Sequence, residues 1–464
     1  MPLFTLLNLI KNYLYKVMST QTIKPQLKVF DLSMIVMSLV IGMGIFSTPA
    51  EVAGKAGRAD VFFWVWMVGA AVSLLGALTF AEIGSRLPHA GGFYKLFSVC
   101  YTPVFAFMVN WITVLSNAAS TAAVSIMGAA YVAPLLLPNM ELQTATLCVS
   151  SGTVVMLLII NLLGIKVSAL LLNGLMLVKL GLLCLLIACV FACSEPENLP
   201  VHSVLSNSES PWKAFLMCFI PVFFTFGGYQ QTINFGSDIA NPSQTIPRSI
   251  FIGMGLVIVL YLLVNYSYIK VLGLEPLAQS KTLAADMIYP WFGKTASVFL
   301  SLIMFCAVTA YVNVSVLSNP RVYYAMAEDR VLPKIFARVN SRTQVQEFGL
   351  MVFCGFILIT LFAITSFEKI LQYVMFFDSI SLITAAAAIF ILRRQARNNA
   401  FTQTKGFKIP LYPYLPIAYI AIYALVIASV FLTNTTAFGW GAVLFILGYP
   451  LYYGIRKLIT LIKA

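Results

Sequence analysis

The chain offers few residues able to do chemistry, and the ones it has stand alone in apolar surroundings. Lys179 lies in the middle of LNGLMLVKLGLLCLLIACVF, too far from either end of the run to reach water easily. An ionised lysine in hydrocarbon costs at least about 2.5 kcal/mol and by default marks a functional site. Asp378, in MFFDSISLITAAAAIF, is the other deeply placed charge. Facing a pocket, its carboxylate would favour a polar or cationic ligand group or relay a proton. Facing a neighbour, it would satisfy a helix break or a serine. Two further features use the backbone itself. Gly42-Met43-Gly44 interrupts the first strongly apolar segment, and Gly227-Gly228 interrupts a later one, WKAFLMCFIPVFFTFGGYQQTINFGSD. Glycine is a poor helix residue, so both segments are expected to break their helices.

A helix broken in hydrocarbon leaves backbone groups without partners, which is tolerated only beside protein or a cavity. Freed N–H groups at the start of a half-helix sit at a positive dipole end and suit a carboxylate. Freed carbonyls at the end of a half-helix suit an ammonium. A pair of such breaks can hold both ends of a zwitterion, and glycines let the ligand approach the backbone closely.

These features must be carried by a membrane protein. Of 464 residues, 60% are hydrophobic and only 10% are charged, against about 25% charged in soluble domains; mean hydropathy is +0.91. Apolar runs of about 20 residues recur throughout, as a helical polytopic protein requires. We expect about twelve spans. Residues 1–28 form an N-terminal tail, 29–193 a first five-helix repeat, 212–392 a second, 393–414 a basic loop, and 415–464 two extra helices with a short tail. With five helices per half, the second half enters the membrane from the opposite side. Gly-interrupted helices at matching positions in inverted halves point to a transporter's central site.

The net charge of +13 is a topology signal rather than a nucleic-acid footprint. Most Lys and Arg residues fall in the connections on one side, including Arg321, Arg330, Lys334, Arg338, Arg393, Arg394 and Arg397. The positive-inside rule then places both termini in the cytoplasm, with the chain in the cell membrane. Residues 1–20 are too short to span and lack the pattern of a secretory signal. Cys100, Cys148, Cys184, Cys189, Cys193, Cys218, Cys306 and Cys354 fall almost entirely in apolar spans without a metal-ligand spacing. The two histidines, His89 and His202, lie in loops, and there is no HExxH or phosphate-binding P-loop. An enzyme is not expected, nor is a cofactor or metal.

Four stretches in order resemble the amino acid–polyamine–organocation transporters, in particular their amino acid permeases and L-type exchangers. Ile41-Gly42-Met43-Gly44-Ile45-Phe46 looks like the family's G-x-G-I-F motif. Ala81-Glu82-Ile83-Gly84-Ser85-Arg86-Leu87-Pro88 with Ala90-Gly91-Gly92 looks like the end of its second helix. Phe224-Thr225-Phe226-Gly227-Gly228-Tyr229, Asn241-Pro242 and Ile246-Pro247-Arg248 look like its sixth helix and following loop. Arg321-Val322-Tyr323-Tyr324-Ala325-Met326-Ala327 with Leu332-Pro333 looks like the close of its eighth. The similarity runs from Asp31 to the last spans.

The resemblance implies a LeuT-like fold with discontinuous first and sixth helices, and alternating-access transport of amino acids. It implies that N–H groups around Met43 and Gly44 bind the substrate α-carboxylate. Carbonyls near Ile41 and Gly42, and of Phe224, Thr225, Phe226 and Gly227, would hold the α-amino group. Phe224 matches an aromatic gate, and Tyr229 stands where relatives often have Trp. Lys179 matches a fifth-helix lysine that replaces the second sodium ion of sodium-coupled relatives, which implies sodium-independent transport. It would either titrate in each cycle or stay charged and tie the first helix to the fifth and eighth. Proton-coupled symport and amino acid exchange are both compatible with this, so protons join the amino acid and the bilayer as expected partners. The loop near Pro138 has no cysteine, so no disulfide-linked heavy chain is expected. Asn117, Ser120, Thr121, Gln230 and Asn313 are candidates to line the pocket or to bond between helices, and Glu82 is a candidate gate or loop anchor. A non-transporting sensor on the same fold, or a carrier of polyamines or other amines, is the competing reading.

Overall fold

The structure is a computed structural model that describes residues 23–192, 211–280, 282–363, 367–398, 406–433 and 435–463. Helices account for all named regular elements among these residues. In chain order they are α1 (Val29–Val40), α2 (Gly44–Ala56), α3 (Ala59–Arg86), α4 (Gly92–Cys100), α5 (Pro103–Leu136), α6 (Leu142–Leu162), α7 (Ile165–Ala192), α8 (Pro211–Met217), α9 (Phe219–Thr225), α10 (Pro242–Leu272), α11 (Leu274–Gln279), α12 (Leu283–Ser318), α13 (Pro320–Glu328), α14 (Glu347–Ala363), α15 (Phe367–Asn398), α16 (Tyr414–Thr433) and α17 (Thr435–Lys463). Short 3-10 turns cover Tyr229–Asn234, Gly236–Asp238 and Lys334–Ala337.

Among the described residues, eight helical stretches are long and apolar enough to cross a membrane, with α1 and α2 together forming the first. Glu347–Ala363 and Tyr414–Ala428 are shorter apolar helices. Large apolar side chains cover the outside, such as Phe191 at 88% and Leu170 at 74% exposure. In water such a surface would be prohibitive, and in a bilayer it is the normal solvent face.

Local sequence sets several boundaries. Pro103 occupies the first turn of α5, where its missing N–H costs nothing, and Thr102 caps the helix by accepting from the Phe105 N–H at 3.2 Å. This start separates α5 from α4, a distinct helix ending at Cys100. Pro242 and Pro320 likewise occupy the first turns of α10 and α13, there without a side-chain cap from Asn241 or Asn319.

The most extensive packing joins α10 to α3 and α1, and α12 to α5 and α7. The broken first helix sits between these groups: α1 packs on α10, α7 and α12. Buried polar pairs bind α12 to its neighbours. Asn161 Nδ2 and Ser168 Oγ donate to Asn313 Oδ1 at 2.8 and 3.3 Å, and Thr121 Oγ1 meets Ser315 Oγ at 2.6 Å.

Candidate functional site

The two expected breaks are present and face each other. α1 ends at Val40, and α2 starts at Gly44 with Met43 as its cap. The first N–H groups of α2 have no partner within the helix. α9 ends at Thr225, and the chain turns through Gly227 and Gly228, which has φ +110°, into the 3-10 turn at Tyr229.

Glycine is required where the breaks meet. A Cβ on Gly228 would stand 2.2 Å from the Leu39 carbonyl oxygen, and one on Gly44 would stand 2.7 Å from Thr225 Oγ1. Gly228→Ala adds this clash to a left-handed backbone strained for any side chain, about 1–3 kcal/mol for the backbone alone. We expect a large fall in the thermal stability of the purified protein. A melting temperature within a degree of wild type would contradict the close approach.

Much of the backbone freed by the breaks is already occupied by protein. Lys179 is fully buried on α7, and its Nζ donates to the Ile41 carbonyl at 2.5 Å. Tyr261, fully buried on α10, donates from its hydroxyl to the carbonyls of Val40 at 3.1 Å and Thr225 at 3.3 Å. One tyrosine thus serves the last residue of both half-helices. Tyr268 adds a bond to the Ile45 carbonyl at 3.3 Å. The sequence reading missed Tyr261 and Tyr268, because a tyrosine within an apolar helix reads as packing.

A cavity lies at the breaks. Of the residues singled out in the sequence, Gly42, Met43, Gly44, Phe224, Thr225, Gly227, Gln230, Asn117 and Asp378 line it. Ser120, Gln231, Tyr311 and Tyr423 complete its polar wall. A polar chamber continues from it, sharing Asn117, Gln230, Gln231 and Asp378.

Other expected site residues lie outside the lining. Ile41 is fully buried and its carbonyl is held by Lys179. Phe226 packs on Trp66 and Tyr261. Tyr229 turns away: its hydroxyl meets that of Tyr419 at 3.0 Å, in space left by the missing side chain of Gly76. Thr121 bonds to Ser315, and Asn313 joins three helices, so both hold helices together.

At one end of the molecule the chain is sealed by buried ion pairs. Arg321 grips Asp238 with Nε–Oδ2 at 2.6 Å and Nη2–Oδ1 at 3.0 Å, and stacks over Phe235 with 4.3 Å to the ring centroid. Its Nη1 also donates to the Leu317 carbonyl. The Asp238 carbonyl accepts from the N–H groups of Gln26 and Leu27 at 2.8 and 2.9 Å. Glu82 accepts from Arg86 Nε, from Arg393 Nε and Nη2, and from the Ile409 N–H, all within 2.8 Å. Glu82, the candidate gate or loop anchor, thus ties Arg86, Arg393 and the backbone at Ile409 together.

Paired helix breaks around a polar cavity, inside a bundle of membrane-length helices, define a membrane transporter of small solutes. The family pattern described as "Amino acid permease" matches residues 27–453, and the chain belongs to that family, within the amino acid–polyamine–organocation superfamily. It is 25% identical to the serine/threonine exchanger SteT of Bacillus subtilis (strain 168) over 91% of this chain and 95% of that protein. It is 23% identical to the human cystine/glutamate transporter over 90% of this chain and 83% of that protein. It is 22% identical to the mouse Asc-type amino acid transporter 1, over 93% and 81% respectively. Amino acid transport across membranes is the function these relationships support.

Proposed function

We propose that this protein is a sodium-independent amino acid transporter of the cell membrane, working by alternating access with both termini in the cytoplasm. The substrate carboxylate binds N–H groups at Met43 and Gly44. Its ammonium binds carbonyls of Gly42 and of the stretch from Phe224 to Gly227 that protein groups leave available. Phe224 gates the pocket. Substrate and either a proton or a counter-substrate are the only cargo this reading needs, and no chemistry is done on them.

The observation that carries sodium independence is the contact between Lys179 Nζ and the Ile41 carbonyl. A monovalent cation at a helix break needs freed carbonyls. Here one such carbonyl is already held by a tethered ammonium, and two more, at Val40 and Thr225, by Tyr261. Replacing sodium by choline on both sides of proteoliposomes is expected to leave the initial uptake rate unchanged within about twofold. A loss of about tenfold or more would contradict the proposal.

The sealed end carries Lys24, Arg86 and Arg393, and lies on the side that the distribution of basic residues assigns to the cytoplasm. In this reading the structure is closed toward the cytoplasm, and inward opening separates Asp238 from Arg321 and Glu82 from Arg393.

A further inference from the structure

We propose that the transported amino acid carries a cationic side chain, an ammonium or guanidinium, and that Asp378 is the residue that selects it. This rests on the amino acid transport reading above and names the substrate class of the same site.

Among the described residues, Asp378 is the one charged residue lining the cavity. Other inward-placed carboxylates are spoken for. Glu82 holds two arginines and a backbone N–H, and Asp238 holds Arg321 bidentately. Asp31 accepts from Asn173 Nδ2 and the Lys28 N–H. Asp378 takes no hydrogen bond or ion pair from any described residue. The buried cation Lys179 is turned to Ile41 and lies outside the cavity lining.

An amino acid held by its backbone at Gly42, Met43 and Gly44 presents its side chain to the rest of that lining. This includes Asn117, Gln230, Gln231, Tyr311, Tyr423 and Asp378, set beside apolar side chains such as Val124, Phe223, Phe224 and Leu382. An apolar side chain closed over this wall would strip water from a carboxylate without replacing it, a strongly unfavourable burial. A cationic side chain would supply the missing counter-charge, while the amides and hydroxyls accept its remaining N–H groups. The adjoining chamber shares Asp378 and adds Asn110, Asn234 and Asn319 to its lining.

The test is competition against labelled lysine in proteoliposomes preloaded with unlabelled lysine, without sodium. Arginine is compared with citrulline, its neutral near-isostere, and lysine with norleucine. The proposal predicts that each cation competes at least tenfold better than its neutral partner. It also predicts that Asp378→Asn abolishes or reverses that preference. Should the variant fail to fold, the wild-type ratios decide alone. Equal competition by cations and isosteres in the wild type would overturn the proposal, as would a folded Asp378→Asn variant that keeps the preference. If lysine is not carried but serine or leucine is exchanged, the assignment of Asp378 fails and amino acid transport stands. If no α-amino acid is taken up, whether by exchange or into empty vesicles with an inward proton gradient, both fail.

Discussion

Lys179→Ala is expected to reduce the initial rate of amino acid transport by about 100-fold. The side chain is fully buried, and its ammonium meets the carbonyl of Ile41 at the break in the first helix. A hydrogen bond to a charged group contributes about 1.5–3 kcal/mol, and leaving a buried acceptor without a partner costs a similar amount. The loss falls where the conformation of Gly42, Met43 and Gly44 is set. Those residues line the cavity, so a shift of the Ile41 carbonyl is passed directly to the N–H groups proposed to bind the carboxylate. The measurement is uptake per mole of reconstituted protein, with melting temperature and elution profile as controls for folding. Transport within about threefold of wild type by a well-folded Lys179→Ala protein would reduce this lysine to a packing element.

The second large effect is at the sealed end. Arg321→Ala leaves Asp238 buried and uncompensated, and removal of one partner from a buried pair typically costs about 3–5 kcal/mol. The segment that loses its clamp includes Gln26 and Leu27, whose N–H groups bond to the Asp238 carbonyl. Opening of this end therefore becomes easier by about 100-fold or more. Hydrogen exchange at residues 24–28 and 236–240 should accelerate accordingly in the variant, while the middle of α10 keeps its protection. Unchanged exchange in the first two segments would show that the pair does not hold this end closed.

Much of the site was legible because it is made of exceptions. Gly42, Gly44, Gly227 and Gly228 stand out in apolar runs where glycine weakens a helix, and the structure breaks both helices there. Lys179 and Asp378 stand out because charge in hydrocarbon needs a reason. Asp378 does line the cavity, and Lys179 does reach the first helix. What escaped the sequence depends on which way a side chain turns or which distant residue it meets. Tyr229 had the position of a pocket residue, yet the gap at Gly76 draws its hydroxyl to Tyr419. Tyr261 is one tyrosine among 21 in the chain, and only the crossing of α10 over both half-helix ends gives its hydroxyl two carbonyls. Asp238 and Arg321 are 83 residues apart, and nothing local in either stretch announces their pairing.

The first and sixth apolar segments are both interrupted by glycine, and they cross where Gly44 meets Thr225 and Gly228 meets Leu39. Each half-helix end is supported from outside the pair, by α7 through Lys179 and by α10 through Tyr261. A rocking motion of the first and sixth segments must carry these supports along or exchange them. In the proposed transport cycle, Lys179 and Tyr261 would be the places where substrate binding and helix movement are joined.

The central claim is that this chain moves amino acids through the cavity between its broken helices without sodium. The most direct measurement is protein-dependent flux of each labelled amino acid into sodium-free proteoliposomes, either empty or preloaded with the same unlabelled amino acid, with and without an inward proton gradient. The account predicts saturable flux of at least one amino acid. Stimulation by preloading would mark exchange, and stimulation by the gradient would mark proton symport. No protein-dependent flux of any amino acid under either condition, or flux that appears only when sodium is added, would contradict it.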